Sequence, residues 1–107
     1  MKIHNIENMT KGWFIGPFNP TCFHTEAFEC AVKEYRAGEK EKKHLHKIAT
    51  EFTVIVKGRV MMNGVEYSDG NIIEIKPNEA TDFEAITDVI TMVVKIPAVL
   101  GDKYESE

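Results

Sequence analysis

Three side chains that can bind a metal ion lie close together in the sequence: His44, His46 and Glu51. Two histidines separated by one residue point to the same side of an extended strand, and a carboxylate five residues later can join them across a turn. Two imidazoles with one carboxylate form the ligand set of open iron(II) sites. The segment therefore predicts a divalent metal, Fe, Mn, Ni or Zn, with water in the remaining positions.

The elements that must position these ligands are short strands. From residue 27 onward, apolar and β-branched runs alternate with turn residues, and no apolar period of helical length appears. Asn63-Gly64 lies between two such runs and predicts a hairpin, because both residues tolerate the positive φ of a type I′ turn. The pattern predicts an all-β domain, either a sandwich or a closed barrel.

Alternation along the strand that follows the histidines tests the site. If Glu51 faces the interior, Thr53 faces it too and becomes a pocket candidate, while Phe52, Val54 and Val56 lie on the opposite face. These three are too apolar to be left in water. A second element, the N-terminal arm or another subunit must cover them, and we expect a homodimer.

The same alternation places Thr81, Phe83 and Ala85 on the inner face of a later strand, so that Thr81 and Phe83 are pocket candidates. Asp82 then faces outward, as an ordinary surface carboxylate. A register shift or bulge, which is common near active sites, would instead turn Asp82 into the pocket as a ligand or base. Asp82 and Glu51 are therefore the two candidate catalytic carboxylates.

Five positions of this segment match a known pattern. Gly38, His44, His46, Glu51 and Gly58 reproduce G-x5-H-x-H-x(3,4)-E-x6-G, and the segment thereby resembles the first conserved motif of the cupin superfamily. The resemblance implies a jelly-roll barrel, also called a double-stranded β-helix, with a metal pocket inside. It also implies either an enzyme of the dioxygenase or isomerase type acting on a sugar or small acid, or a binding protein without turnover.

The second cupin motif is matched poorly. In the alignment that begins at Gly70, Lys76 stands where the family usually has proline and Asn78 where it has glycine. Thr81 replaces the usual third histidine ligand, and Ala85 replaces the usual asparagine. A threonine hydroxyl is a far weaker ligand than imidazole. The departure leaves open a metal-free ligand-binding or sensor barrel, and also histidines that are merely exposed on a charged turn.

The chain divides into three parts: an arm over residues 1–25, the barrel over 26–100 and a polar tail over 101–107 that we expect to be loose at its end. In the arm, Trp13 and Phe18 lie between glycines and prolines and predict an ordered segment that packs on the barrel end or on a partner subunit, or that stacks on a ligand. Tyr35 and Arg36 approach Gly38 and are further pocket candidates, with half-buried packing as the alternative.

Length and charge exclude several classes. A chain of 107 residues suits one domain, and its net charge of −4 argues against a nucleic-acid surface, which needs a basic face. No apolar stretch is long enough to span a membrane, and the N-terminus lacks the apolar region of a signal peptide. We therefore expect a cytoplasmic protein without nucleic-acid or membrane partners.

Overall fold

Regular structure in this protein is almost entirely β-strand. The computed structural model describes all 107 residues. Its strands are β1 Trp13–Ile15, β2 Glu29–Tyr35, β3 Lys40–Leu45, β4 Thr50–Lys57, β5 Arg59–Met62, β6 Val65–Ser68, β7 Ile72–Ile75, β8 Thr81–Ala85, β9 Val89–Ile96 and β10 Tyr104–Glu105. The one helical element is a 3-10 turn at Ile6–Asn8. None of the helical structure has the length and apolar character needed to cross a bilayer.

The strands form two five-stranded sheets, in the orders β1-β2-β9-β4-β7 and β10-β3-β8-β5-β6. Strands distant in sequence are neighbours in both sheets, and the paired strands run antiparallel. The β5–β6 connection is the predicted hairpin, with φ of 49° at Asn63 and 79° at Gly64. These features confirm the predicted all-β jelly-roll barrel.

The barrel interior has an apolar end and a polar end. An apolar cluster fills one end and consists of Ile55, Val60, Met62, Ile75, Phe83, Ala85 and Val89. Strand β4 connects the two ends. Ile55 and Thr53 are buried on its inner face, and Glu51, earlier in the strand, lies on the same face at the polar end. The opposite face carries Phe52, Val54 and Val56, as alternation predicts. Strand β4 thus delivers Glu51 to the polar end.

Both ends of the chain are attached to the sheets. Strand β1 of the arm pairs with β2, and β10 of the tail pairs with β3 next to His44. The first part of the tail is held in place, because Asp102 is only 6% exposed and its carboxylate accepts hydrogen bonds from the backbone. The loop after β3 is therefore fixed by the last residues of the chain.

Candidate functional site

The two histidines lie at the end of β3. His44 is on the strand, opposite Thr81 of β8, and His46 follows just after the strand ends. The β3–β8 register shifts between Glu41 and His44, and this irregularity lets Glu41 and His44 both line the cavity, although plain alternation would place these two side chains on opposite faces. The imidazole rings of His44 and His46 are 5.4 Å apart, centroid to centroid.

Backbone carbonyl groups orient both imidazoles. His46 Nδ1 is hydrogen-bonded to the carbonyl oxygen of Asp102, and His44 Nδ1 lies 3.0 Å from that of Lys42. Because a carbonyl oxygen can only accept, the hydrogen-bond network assigns the proton to Nδ1 in each ring. Nε2 of each ring is then the nitrogen that remains for a metal ion. Metal-binding histidines are commonly held in this way by a carbonyl or carboxylate at the other nitrogen.

Glu51 completes this arrangement. One of its oxygens, Oε1, lies 3.2 Å from His46 Nε2, and the other accepts a hydrogen bond from the Thr53 hydroxyl at 2.9 Å. Burial raises the pKa of the Glu51 carboxyl, but hydrogen bonds from His46 and Thr53 and the charge of Lys95 outweigh burial and hold the pKa below its ordinary value. A carboxylate facing an imidazole nitrogen needs a positive centre between them, either a proton or a metal ion.

The donor chemistry of these residues fits a divalent metal, although a complete cage is not formed. The structure contains no group of three or more His, Cys, Asp or Glu side chains arranged to hold a metal ion. It brings His46 and Glu51 into contact, with His44 beside them, while Thr81 opposite His44 contributes only a hydroxyl. Two imidazoles held through Nδ1 and one ionised carboxylate are nevertheless donors that Fe, Mn, Ni and Zn accept.

His44, Glu51 and Thr81 line a cavity of about 350 Å³, a size suited to a small ligand, and His46 is buried behind them. Four predicted pocket residues line it: Tyr35, Thr53, Thr81 and Phe83. The rings of Tyr35 and Phe83 are 4.6 Å apart, centroid to centroid. Burial raises the pKa of the Tyr35 hydroxyl, and the nearby charge of Glu41 raises it further. Tyr35 is thus a neutral hydroxyl at neutral pH.

Two predicted site residues lie elsewhere, so their assignment to the pocket is corrected. Asp82 is exposed, and its carboxylate accepts a hydrogen bond from the backbone N–H of Asn63 at 2.6 Å, tying the β5–β6 hairpin to β8. The bulge that would have turned Asp82 inward occurs on β3 instead. Arg36 is exposed in the turn after β2, outside the cavity lining. Glu51 is the one candidate catalytic carboxylate that reaches the cavity.

Most of the charged residues that line the cavity were not predicted from the sequence. The inner face of β2 carries Glu29 and Lys33, β9 contributes Thr91 and Lys95, and β3 contributes Glu41. One signal was available, because Lys95 interrupts the apolar run Val89–Ile96 at the same parity as Thr91 and Val93. Glu41 gave no signal, since only the irregularity in β3 turns it inward.

Comparison with known proteins identifies the fold through structures alone. No family model matches the chain, and no curated protein sequence does. A protein with a double-stranded β-helix domain from Klebsiella pneumoniae is similar over 99% of this chain and 92% of its own, with a TM-score of 0.74 and 17% identity.

Two other solved structures agree with that comparison. An RmlC-like cupin from Shewanella frigidimarina is similar over 71% of each chain, with a TM-score of 0.65 and 18% identity. The bacterial pirin YhhW from Escherichia coli, in complex with nickel(II), is similar over 82% of this chain and 39% of its own, with a TM-score of 0.67 and 20% identity. The chain therefore has the double-stranded β-helix fold of the cupins.

Proposed function

We propose that this chain is a small metal-binding cupin that binds a small polar molecule in the barrel cavity and acts on it. The observation that carries the proposal is the orientation of the two imidazoles. Backbone carbonyls accept hydrogen bonds from Nδ1 of both His44 and His46, so that Nε2 of each ring is the nitrogen left for a metal ion, and that of His46 lies beside the ionised Glu51. Scaffolding alone requires no such arrangement.

The residues of the site have distinct roles in this proposal. His44, His46 and Glu51 hold the metal, and Thr53 fixes Glu51 through its hydrogen bond. When bound, a divalent metal supplies Lewis-acid polarisation of a ligand oxygen and a template that orients the ligand. Trp13 and Phe18 of the arm line the cavity, with ring centroids 6.4 Å apart, and their apolar surface excludes water from its mouth.

The nickel(II) complex of the pirin YhhW supports the proposal, because the two chains share a fold. A metal-free binding barrel is the second candidate. The absence of a group of three or more ligands in metal-binding arrangement favours it, and so does the direct His46–Glu51 contact. In a metal-free barrel, a proton on His46 Nε2 takes the place of the metal, and His46 and Glu51 form an imidazolium–carboxylate salt bridge.

Metal content separates the two candidates. Untagged protein purified without chelator should contain nearly one equivalent of Fe, Mn, Ni or Zn per chain by mass spectrometry, and the His44→Ala/His46→Ala variant should contain almost none, because loss of two of three ligands removes most of the affinity. The matched control is His4→Ala/His24→Ala, which removes two exposed histidines outside the cavity.

The control variant should retain the metal of the wild type. Wild-type protein that stays metal-free after reconstitution with each ion would contradict the metal site and leave the metal-free barrel as the function. Where metal is present, loss of activity on a candidate substrate in Glu51→Gln protein that still contains its metal would show that the site also performs chemistry, because the substitution removes the charge of the one cavity carboxylate next to His46.

A homodimer through the outer face of β4 is also part of this proposal. Apolar side chains from three adjacent strands share this face: Phe52, Val54, Val56, Ile72, Met92, Val94 and Ile96. Val56 is 52% exposed, Ile72 65% and Ile96 47%. A contiguous apolar surface of this kind favours a protein contact, and a second copy presents the same self-complementary surface.

Two valines with matched exposure test the dimer. Val56→Glu places a charge on the proposed interface, whereas Val65→Glu alters an equally exposed valine, at 51% against 52%, in the other sheet. The mass in solution by light scattering should be that of a dimer for wild type and Val65→Glu, and that of a monomer for Val56→Glu, since a buried unpaired charge is strongly unfavourable. A monomeric wild type, or a dimeric Val56→Glu, would contradict this interface.

A further inference from the structure

Two lysines of the cavity converge on one tryptophan. Lys33 Nζ lies 5.1 Å and Lys95 Nζ 4.8 Å from the centroid of the Trp13 ring, so that about 10 Å at most separates the two ammonium groups. Their side chains are only 20% and 17% exposed. Holding two like charges close together in a half-buried cavity is unfavourable unless an anion lies with them.

The acidic residues beside these lysines do not saturate them. Glu41 lies 3.7 Å from Lys33 Nζ, and Glu29 lies 3.3 Å from Lys95 Nζ. An ammonium group has three donors, and neither lysine makes a side-chain hydrogen bond to a protein acceptor. Burial lowers the pKa of Lys33, Glu41 raises it, and Lys95 and Lys103 lower it, for a net lowering. Both lysines therefore retain donors for a ligand.

A buried hydroxyl in the same lining is also unpaired. Thr91 lies opposite Lys33 in the β2–β9 register and is 1% exposed, yet its Oγ1 has no hydrogen-bond partner. No other buried polar side-chain atom of the protein lacks a hydrogen-bond partner. Buried hydroxyls almost always have a partner, so Thr91 is an independent indication that a polar ligand belongs in this part of the cavity.

The charge of the lining sets the sign and size of the ligand charge. Four lysines, Lys11, Lys33, Lys95 and Lys103, face three glutamates, Glu29, Glu41 and Glu51. The excess is one positive charge before any metal is counted, which matches a monoanion such as a carboxylate better than a dianion. Lys95 also pairs directly with Glu51 across β9 and β4, about 4.8 Å between strands. A short acid held by Lys95 therefore reaches the predicted metal ligands.

We propose that Lys33, Lys95 and Thr91 bind the carboxylate of a small organic acid, beside Trp13, with the rest of the acid directed toward His44, His46 and Glu51. This inference rests on the proposed function, because it assigns a ligand class to the same cavity. It makes Lys33 and Lys95 specificity-determining residues, and it explains why charged side chains lie on the inner face of β2 and β9.

Trp13 is the one tryptophan of the chain and reports directly on this site. Its fluorescence should change saturably on titration with at least one of four monoanions, acetate, glycolate, lactate and pyruvate, at pH 7 and constant ionic strength. Lactate and lactamide form a matched pair that differs in charge, and phosphate, which is partly a dianion at pH 7, tests a higher charge. For the acid that binds, Lys33→Met and Lys95→Met should each weaken binding about tenfold or more, because each removes a charge-assisted contact.

Lys40→Met is the control, since Lys40 is a 69% exposed lysine outside the cavity, and it should leave the affinity unchanged. Lys33→Arg and Lys95→Arg retain the charge and should bind the acid, which separates loss of the site from loss of folding. The titration is repeated in His44→Ala/His46→Ala, where acid binding should persist even if the metal site is absent.

Four results would overturn the inference. These are the absence of a saturable response to any of the four acids, equal binding of lactate and lactamide, tighter binding of phosphate than of every acid, and equal loss of affinity in Lys40→Met. None of them depends on the metal content of the protein, so failure of the acid site is distinguishable from failure of the metal site.

Discussion

Asp102→Asn should lower the free energy of unfolding by about 3 kcal/mol, because the carboxylate accepts three charge-assisted backbone hydrogen bonds in a buried position. Its oxygens lie 2.9 Å from the N–H of Lys47, 3.1 Å from that of Ile48 and 2.9 Å from that of Ala49. An amide presents its NH₂ group to donors and leaves at least one of them unpaired. Urea unfolding at pH 7 measures the loss.

The pH dependence gives the same prediction a second readout. Burial raises the pKa of Asp102, but hydrogen bonds from Ala49, Lys47 and Ile48 outweigh it, and the pKa lies below its ordinary value. A lowered carboxyl pKa stabilises the fold above the unfolded pKa of about 3.9, and that contribution is lost as pH falls through the folded pKa. The stability difference between wild type and Asp102→Asn should therefore be constant above about pH 5 and shrink in acid.

Glu105→Gln is the control for this experiment, since Glu105 is an exposed carboxylate of the same tail. It should leave stability unchanged at pH 7. A stability difference between wild type and Asp102→Asn that persists unchanged down to pH 2.5 would contradict the role of the ionised carboxylate.

Gly12→Ala should detach the N-terminal arm from β2. Gly12 has φ of +81°, and a Cβ there would overlap the carbonyl oxygen of Val32, a backbone atom that cannot move aside. The Val32 N–H also donates to the Gly12 carbonyl at 3.1 Å. Positive φ and the overlap together should cost about 3 kcal/mol or more. Trp13 should become exposed, which red-shifts its fluorescence, and proteolysis should cut the arm.

Gly38→Ala is the matched control, because Gly38 has φ of +90° but no atom within 4 Å of an added Cβ. This variant carries the backbone strain alone, about 1–2 kcal/mol, and should keep the wild-type Trp13 spectrum. Identical behaviour of the two variants would show that the contact with Val32 is unimportant. Detachment of the arm should also weaken acid binding, since Trp13 lies against both Lys33 and Lys95.

Local periodicity was sufficient to predict the parts of the fold that depend on it. Alternation places Glu51 and Thr53 inside the barrel and Phe52 outside it, and Asn63-Gly64 forms the expected hairpin. These features depend on residues adjacent in sequence, where sterics and burial alone decide which face a side chain takes. The inner position of Thr81 and Phe83 follows for the same reason.

The rest of the site depends on pairings between distant segments. Asp102 bonds to the loop at 47–49 across more than fifty residues, and Glu41 enters the cavity only because the β3–β8 register is irregular. Lys33 and Lys95 both lie against Trp13 because β2 and β9 are adjacent strands. A single sequence does not specify which strands pair or where a register shifts, so these contacts were not predictable from it.

The bond between His46 and the carbonyl of Asp102 joins residues 56 apart. In this chain, the motif segment therefore determines which residue is the metal ligand, whereas the carboxyl-terminal segment determines the orientation of its imidazole ring. Two relatives identical over residues 38–58 but different at their carboxyl ends could share every motif position while only one keeps His46 correctly oriented. A census of cupin proteins based on the motif alone would count both as metal-competent and so overestimate how many are.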